Sequence, residues 1–124
     1  MVSWDKSTVI RATAWGMVLL VINLSLLRLP ATTTQIPDGD KLIHLITYML
    51  LCYWFLHAYW QKPYWILWGL ILLGTTLECL QSFTSYRQFE WLDLLMNITG
   101  VVVAHLLFNY IHLKINFLLV LKTK

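Results

Sequence analysis

Charged residues are scarce in this sequence. They make up 12% of its 124 residues, about half the share of an ordinary soluble domain. That scarcity excludes a soluble globular enzyme, a disordered chain and a nucleic-acid binder with a basic stripe. Cysteine is nearly absent as well: Cys52 and Cys79 both lie inside apolar runs, which leaves no disulfide framework to read. The three prolines, Pro30, Pro37 and Pro63, fall between the apolar runs and break none of them. Neither an internal repeat nor a low-complexity tract divides the chain, so residues 1–124 read as one domain. A small-x-small cleavage site is also missing after the first apolar run, at Leu29-Pro30-Ala31. The run that follows Lys6 and Arg11 therefore reads as an uncleaved span rather than a signal peptide.

What the sequence has in abundance is apolar length. Hydrophobic residues make up 59% and the mean hydropathy is +0.66. A helix needs about 20 residues to cross the hydrocarbon core, and four stretches supply that. The expectation is an all-α, polytopic four-helix transmembrane bundle with helices at about 8–29, 41–60, 64–83 and 91–113. The fourth apolar run continues to Leu121, about 46 Å as one helix, longer than one perpendicular crossing. His112, Lys114 and Asn116 mark its exit, and 115–121 either lies on the interface or prolongs the helix. The connections are a loop from Pro30 to Asp40, a tight Gln61-Lys62-Pro63 reversal with proline suited to a first helical turn, and a polar link from Thr84 to Glu90.

Basic residues set the expected orientation. Lys6, Arg11, Lys62, Lys114, Lys122 and Lys124 fall on one side, and Arg28, Lys41 and Arg87 on the other. The positive-inside rule then puts both termini and the 61–63 turn in the cytoplasm. Trp60, Trp65 and Trp68 would belt that side, and Trp91 the outer one.

The remaining polar residues converge on one level. Helix 2 enters from the outer side, so His44 sits about 5 Å and Tyr48 about 10 Å below its start. Helix 3 brings Glu78 and Gln81 in its last two turns, and helix 4 brings Asp93 and Asn97 in its first two. Asp40, His44 and Tyr48 recur at i, i+4, i+8 on one face, while Glu78/Gln81 and Asp93/Asn97 are same-face neighbours. Arg87, in the link, can reach either carboxylate. Ionisable groups exposed to lipid are costly, so these side chains should face one another or a wet cavity. Each also has a plain structural reading. Asp40 serves as the N-cap of helix 2, Lys41 as a snorkelling anchor, Tyr48 as packing, Asp93 as a first-turn acid facing the helix dipole, and Asn97 as an interhelical hydrogen bond beside Gly100 and Ala104. Glu78 has no capping role two turns into an apolar helix, and for it a functional reading comes first. His57, His105 and His112 lie away from this level and read as structural.

The string Asp40-Lys41-x-x-His44-x-x-x-Tyr48, then Glu78-x-x-Gln81, Arg87 and Asp93-x-x-x-Asn97-x-x-Gly100 resembles the VanZ-like family. The resemblance covers about residues 36–105, and its motifs occur together in the right order. It implies a small polytopic protein of the bacterial cytoplasmic (inner) membrane. The founding member of that family is associated with low-level resistance to the glycopeptide teicoplanin, which makes antibiotic resistance an implied context.

Three functions compete. In the first, Asp40, Lys41, His44, Tyr48, Glu78, Gln81, Arg87, Asp93 and Asn97 form an outer-leaflet pocket. It would bind a lipid head group, a lipid-linked cell-wall intermediate or an amphiphilic antibiotic, with Arg87 and Lys41 meeting phosphate or carboxylate. In the second, an intramembrane hydrolase or transferase uses His44, Glu78, Arg87 and Asp93 as catalytic groups. In the third, the chain is a structural or partner-binding membrane subunit whose polar network only locks the bundle. Binding ranks first. No cofactor is expected and membrane lipids are the expected partners, with no nucleic acid and a homo-oligomer left open. A divalent ion on His44, Glu78 and Asp93 has suitable ligand types, but no His-x-x-x-His spacing supports it and no metal is expected.

Overall fold

The computed structural model describes residues 5–27 and 39–122, with side chains as far as Asn116. Four helices account for almost all of them: α1 (Lys6–Leu26), α2 (Gly39–Ala58), α3 (Pro63–Ser82) and α4 (Trp91–Lys122). No strand occurs among the described residues. Each helix is long and apolar enough to cross a membrane. Arg28 and the 30–38 part of the first connection lie outside the described residues.

The helix ends follow local chemistry. Pro63 opens α3 at its first turn, where its missing N–H costs no hydrogen bond. Asp40, expected to cap α2, instead sits inside its first turn. There its carboxylate meets Lys41 Nζ at 3.1 Å, and the acid still faces the positive end of the helix dipole. α4 runs past its expected end at 113 to Lys122, so 115–121 prolongs the helix. Beyond Gly100 that segment has neither glycine nor proline, and His112, Lys114 and Asn116 are polar without being helix breakers.

The bundle is built around α2 and α4, which share its most extensive contact. Gly100 allows it. A methyl group there would run into the backbone of α2 at the Leu45 carbonyl and the Met49 nitrogen. One turn on, Ala104 is fully buried, so small residues let the two backbones approach. Leu51, Cys52 and Leu56 of α2 and Val101 of α4 fill the centre. Outward-facing Trp60, Trp65, Trp68 and Trp91 are all exposed. The large apolar surface is the one a bilayer covers.

Several polar side chains within the spans bond to their own helices. Thr13, Thr75, Thr76 and Thr99 each donate to the carbonyl four residues back, and Asn23 does the same to Leu19. Hydroxyls and amides on lipid-facing helices are thereby satisfied without water. At the end far from the polar level, His57 and His112 pack against the Phe108 ring.

Candidate functional site

Four side chains are at once polar and buried among the described residues: Glu78 (1% exposed), Asn97 (1%), Gln81 (3%) and Asp93 (6%). All four stand at the same end of the bundle, where α2 starts, α3 ends and α4 starts. Their partners come mainly from the first turns of α2.

His44 is the hub. Its Nδ1 lies 3.0 Å from Asn97 Oδ1 and 3.6 Å from Glu78 Oε1, and its Nε2 lies 3.6 Å from Asp93 Oδ2. One imidazole on α2 thus touches both α3 and α4. Because an amide oxygen only accepts, the His44–Asn97 bond places the hydrogen on Nδ1 and turns Nε2 towards Asp93. Gly74 makes room for this arrangement. A Cβ there would sit 3.2 Å from Asn97 Nδ2 and 3.2 Å from the Tyr48 ring, so Tyr48 and Asn97 pack against bare backbone of α3.

Lys41 does not snorkel outward. Its side chain is mostly buried and its Nζ gathers three carboxylates, Glu90 at 2.9 Å, Asp40 at 3.1 Å and Asp93 at 3.6 Å. The reason is electrostatic: three acids at one helix junction hold the ammonium more strongly than a single exposed position would. Asp93 Oδ1 is buried and makes no hydrogen bond, so Lys41 is its sole close cation among the described residues.

Gln81 and Arg87 turn to α1. Gln81 Nε2 donates to the Ser25 carbonyl at 2.9 Å, Arg87 Nη1 reaches the same oxygen at 3.5 Å, and the Tyr86 hydroxyl donates to the Leu26 carbonyl at 2.7 Å. These carbonyls belong to the last turn of α1, where the helix supplies them no N–H donors and where the negative end of the dipole lies. Arg87, expected to reach a carboxylate, makes no ion-pair contact with one among the described residues; it acts on Glu78 through space. Between α1 and α2 opens a cleft of about 160 Å³, lined by Val21, Leu24, Ser25, Ile43, His44, Thr47, Tyr48 and Arg87.

Sequence reasoning missed Glu90, Ser25 and Tyr86. Glu90 carried a weak signal, standing one residue before a helix whose first turn holds an acid, Asp93. The part played by Ser25 belongs to its backbone, and the signal there is general: the last carbonyls of any helix need donors.

A model of the VanZ/LLP1 family matches residues 3–113. The match takes in α1, which the motif resemblance left out. No curated protein and no solved structure matches the chain. The chain belongs to the VanZ/LLP1 family.

Proposed function

We propose that this VanZ/LLP1 membrane protein binds the polar head of an amphiphile in the cleft between α1 and α2. One observation carries the reading. The cleft joins apolar walls (Val21, Leu24, Ile43) to Arg87 and His44, the combination that an acyl chain tipped with an anionic group requires. The binding set comprises His44, Tyr48 and Arg87 at the cleft, with Glu78, Gln81, Asp93 and Asn97 fixing them from behind and Asp40 and Lys41 at the rim.

Six basic residues against three support a cleft in the outer leaflet of the bacterial inner membrane, with both termini in the cytoplasm. Phospholipids, lipid-linked cell-wall intermediates and glycopeptide-type amphiphiles share the chemistry, and the last would connect the site to antibiotic resistance. The test is lipid binding by the purified protein in nanodiscs, comparing anionic with zwitterionic head groups. Wild type should prefer the anionic head, and Arg87→Gln should weaken that binding about tenfold, the scale of one charge-assisted contact. Equal binding by variant and wild type would remove the reading.

A second reading, hydrolase or transferase, draws on the position of His44 between Asp93 and Glu78. That geometry suits a general base oriented by a carboxylate. Mass spectrometry of the bound lipid separates the two: unchanged lipid supports binding, and a new product supports catalysis.

A further inference from the structure

We propose that His44, Glu78 and Asp93 together hold one divalent transition-metal ion of the zinc or manganese class. The three residues come from α2, α3 and α4, one from each, and offer ligand atoms within 4.8 Å of one another. Around zinc such atoms stand about 3.4 Å apart; Asp93 already lies 3.6 Å from His44 Nε2, while Glu78, now 3.6 Å from Nδ1, has to swing towards the Nε2 side to complete the site. One imidazole and two carboxylates are a donor set for zinc, manganese or iron. Three protein ligands also leave a coordination position open, as metal sites that act on a bound molecule do.

Two further observations point to a cation. The first is the direction of the lone pairs. Asn97 Oδ1 takes the Nδ1 hydrogen of His44, which fixes the tautomer in the way an outer-shell partner of a metal-bound histidine does. His44 Nε2 then faces Asp93 Oδ2 at 3.6 Å. In the neutral imidazole both are acceptors with no hydrogen between them, and Asp93 is nine-tenths buried; its other oxygen, Oδ1, makes no hydrogen bond and faces Lys41 Nζ at 3.6 Å. A metal cation between them, or a proton on Nε2, relieves that opposition of lone pairs. The second observation is the charge at this end of the bundle. Among the described residues, Asp40, Glu78, Glu90 and Asp93 face Lys41 and Arg87. If all four were ionised they would exceed the two cations by two, and Lys41 stands closer to Glu90 and Asp40 (2.9 and 3.1 Å) than to Asp93 (3.6 Å). One imidazolium would supply one positive charge; a divalent ion supplies two.

The proposal stands on these three side chains and not on the head-group reading, and metal is measured without lipid, so either can fail alone. The experiment uses the full chain in detergent, its affinity tag removed, stripped with chelator and titrated with zinc and with manganese. Calorimetry and elemental analysis should give one ion per chain, and Co²⁺ substitution should give the visible bands of a four- or five-coordinate nitrogen–oxygen site. Asp93→Asn and His44→Gln, which keep shape, should abolish that stoichiometric binding. Asn97→Ala should weaken it by about tenfold or more, while a His57→Gln/His112→Gln protein keeps it. Circular dichroism confirms that each variant is folded. Folded wild type that takes up no ion would overturn the proposal, leaving a proton between His44 and Asp93. Uptake unchanged in folded Asp93→Asn and His44→Gln would overturn it equally, by placing the ion elsewhere.

Discussion

Lys41 shows how far a single residue can depart from its sequence reading. A lysine at the start of a transmembrane helix is ordinarily an anchor, and nothing in the local sequence distinguishes this one. Its inward turn depends on Glu90 and Asp93, about fifty residues away and placed by a different helix. Glu78, by contrast, was legible, because a carboxylate two turns inside an apolar run has no local explanation. The same was true of Asn97 and His44, whose spacing on their helices aimed them at the same level. Arg87 was half legible: its level was right, while its contact with the α1 terminus could not be read from side chains. A prediction follows for Lys41. Lys41→Met leaves the buried Asp93 Oδ1 with no cation, a loss of about 1–3 kcal/mol. Glu90→Gln alters a half-exposed partner and should cost under about 1 kcal/mol. Thermal unfolding in one detergent compares the two, and equal losses would show that Asp93 does not depend on Lys41.

At the scale of the helices, number, order and approximate bounds were all legible, because twenty-residue apolar runs separated by proline or polar links have one interpretation in a bilayer. The ends were less so. The position of Asp40 and the length of α4 depend on whether a break occurs, and polar residues alone do not break a helix. Which helices pack together was visible only as a hint, in Gly100 and Ala104. The structure makes that hint specific and testable. Gly100→Ala sets a methyl group against the backbone of α2, which cannot yield as a side-chain tip would, and should destabilise by about 1–3 kcal/mol. Gly16→Ala and Gly69→Ala meet nothing within 4 Å. They should leave stability unchanged or raise it by up to about 1 kcal/mol, from helix propensity. If Gly100→Ala behaves as those two do, α2 and α4 are not in close backbone contact.

For the whole molecule the decisive quantities are orientation and the purpose of the buried charge. Orientation rests on six basic residues against three and is checked by labelling. In a protein whose own Cys52 and Cys79 are replaced, a cysteine at Thr33 should react with an impermeant reagent added outside intact cells. One at Lys62 should react only after lysis, and the reverse pattern would invert the bundle. The purpose of the charge needs a subtler test, since a polar network kept for packing and one kept for a ligand look alike at rest. Paired charges that serve packing alone can be replaced together with little loss, whereas removing one strands the other. Glu78 and Arg87 are the suitable pair. They act on each other through space without direct contact, glutamine at 78 keeps the hydrogen bond that Glu78 can make to Asn97, and Gln81 still donates to the α1 terminus when Arg87 is replaced. Glu78→Gln/Arg87→Gln should therefore insert, accumulate and unfold near the wild-type temperature, yet lose the preference for anionic head groups. A double variant that keeps the preference would assign these charges to packing; one that never accumulates would show that they hold the bundle together. Only a folded protein that no longer discriminates fits a site whose charges face a ligand.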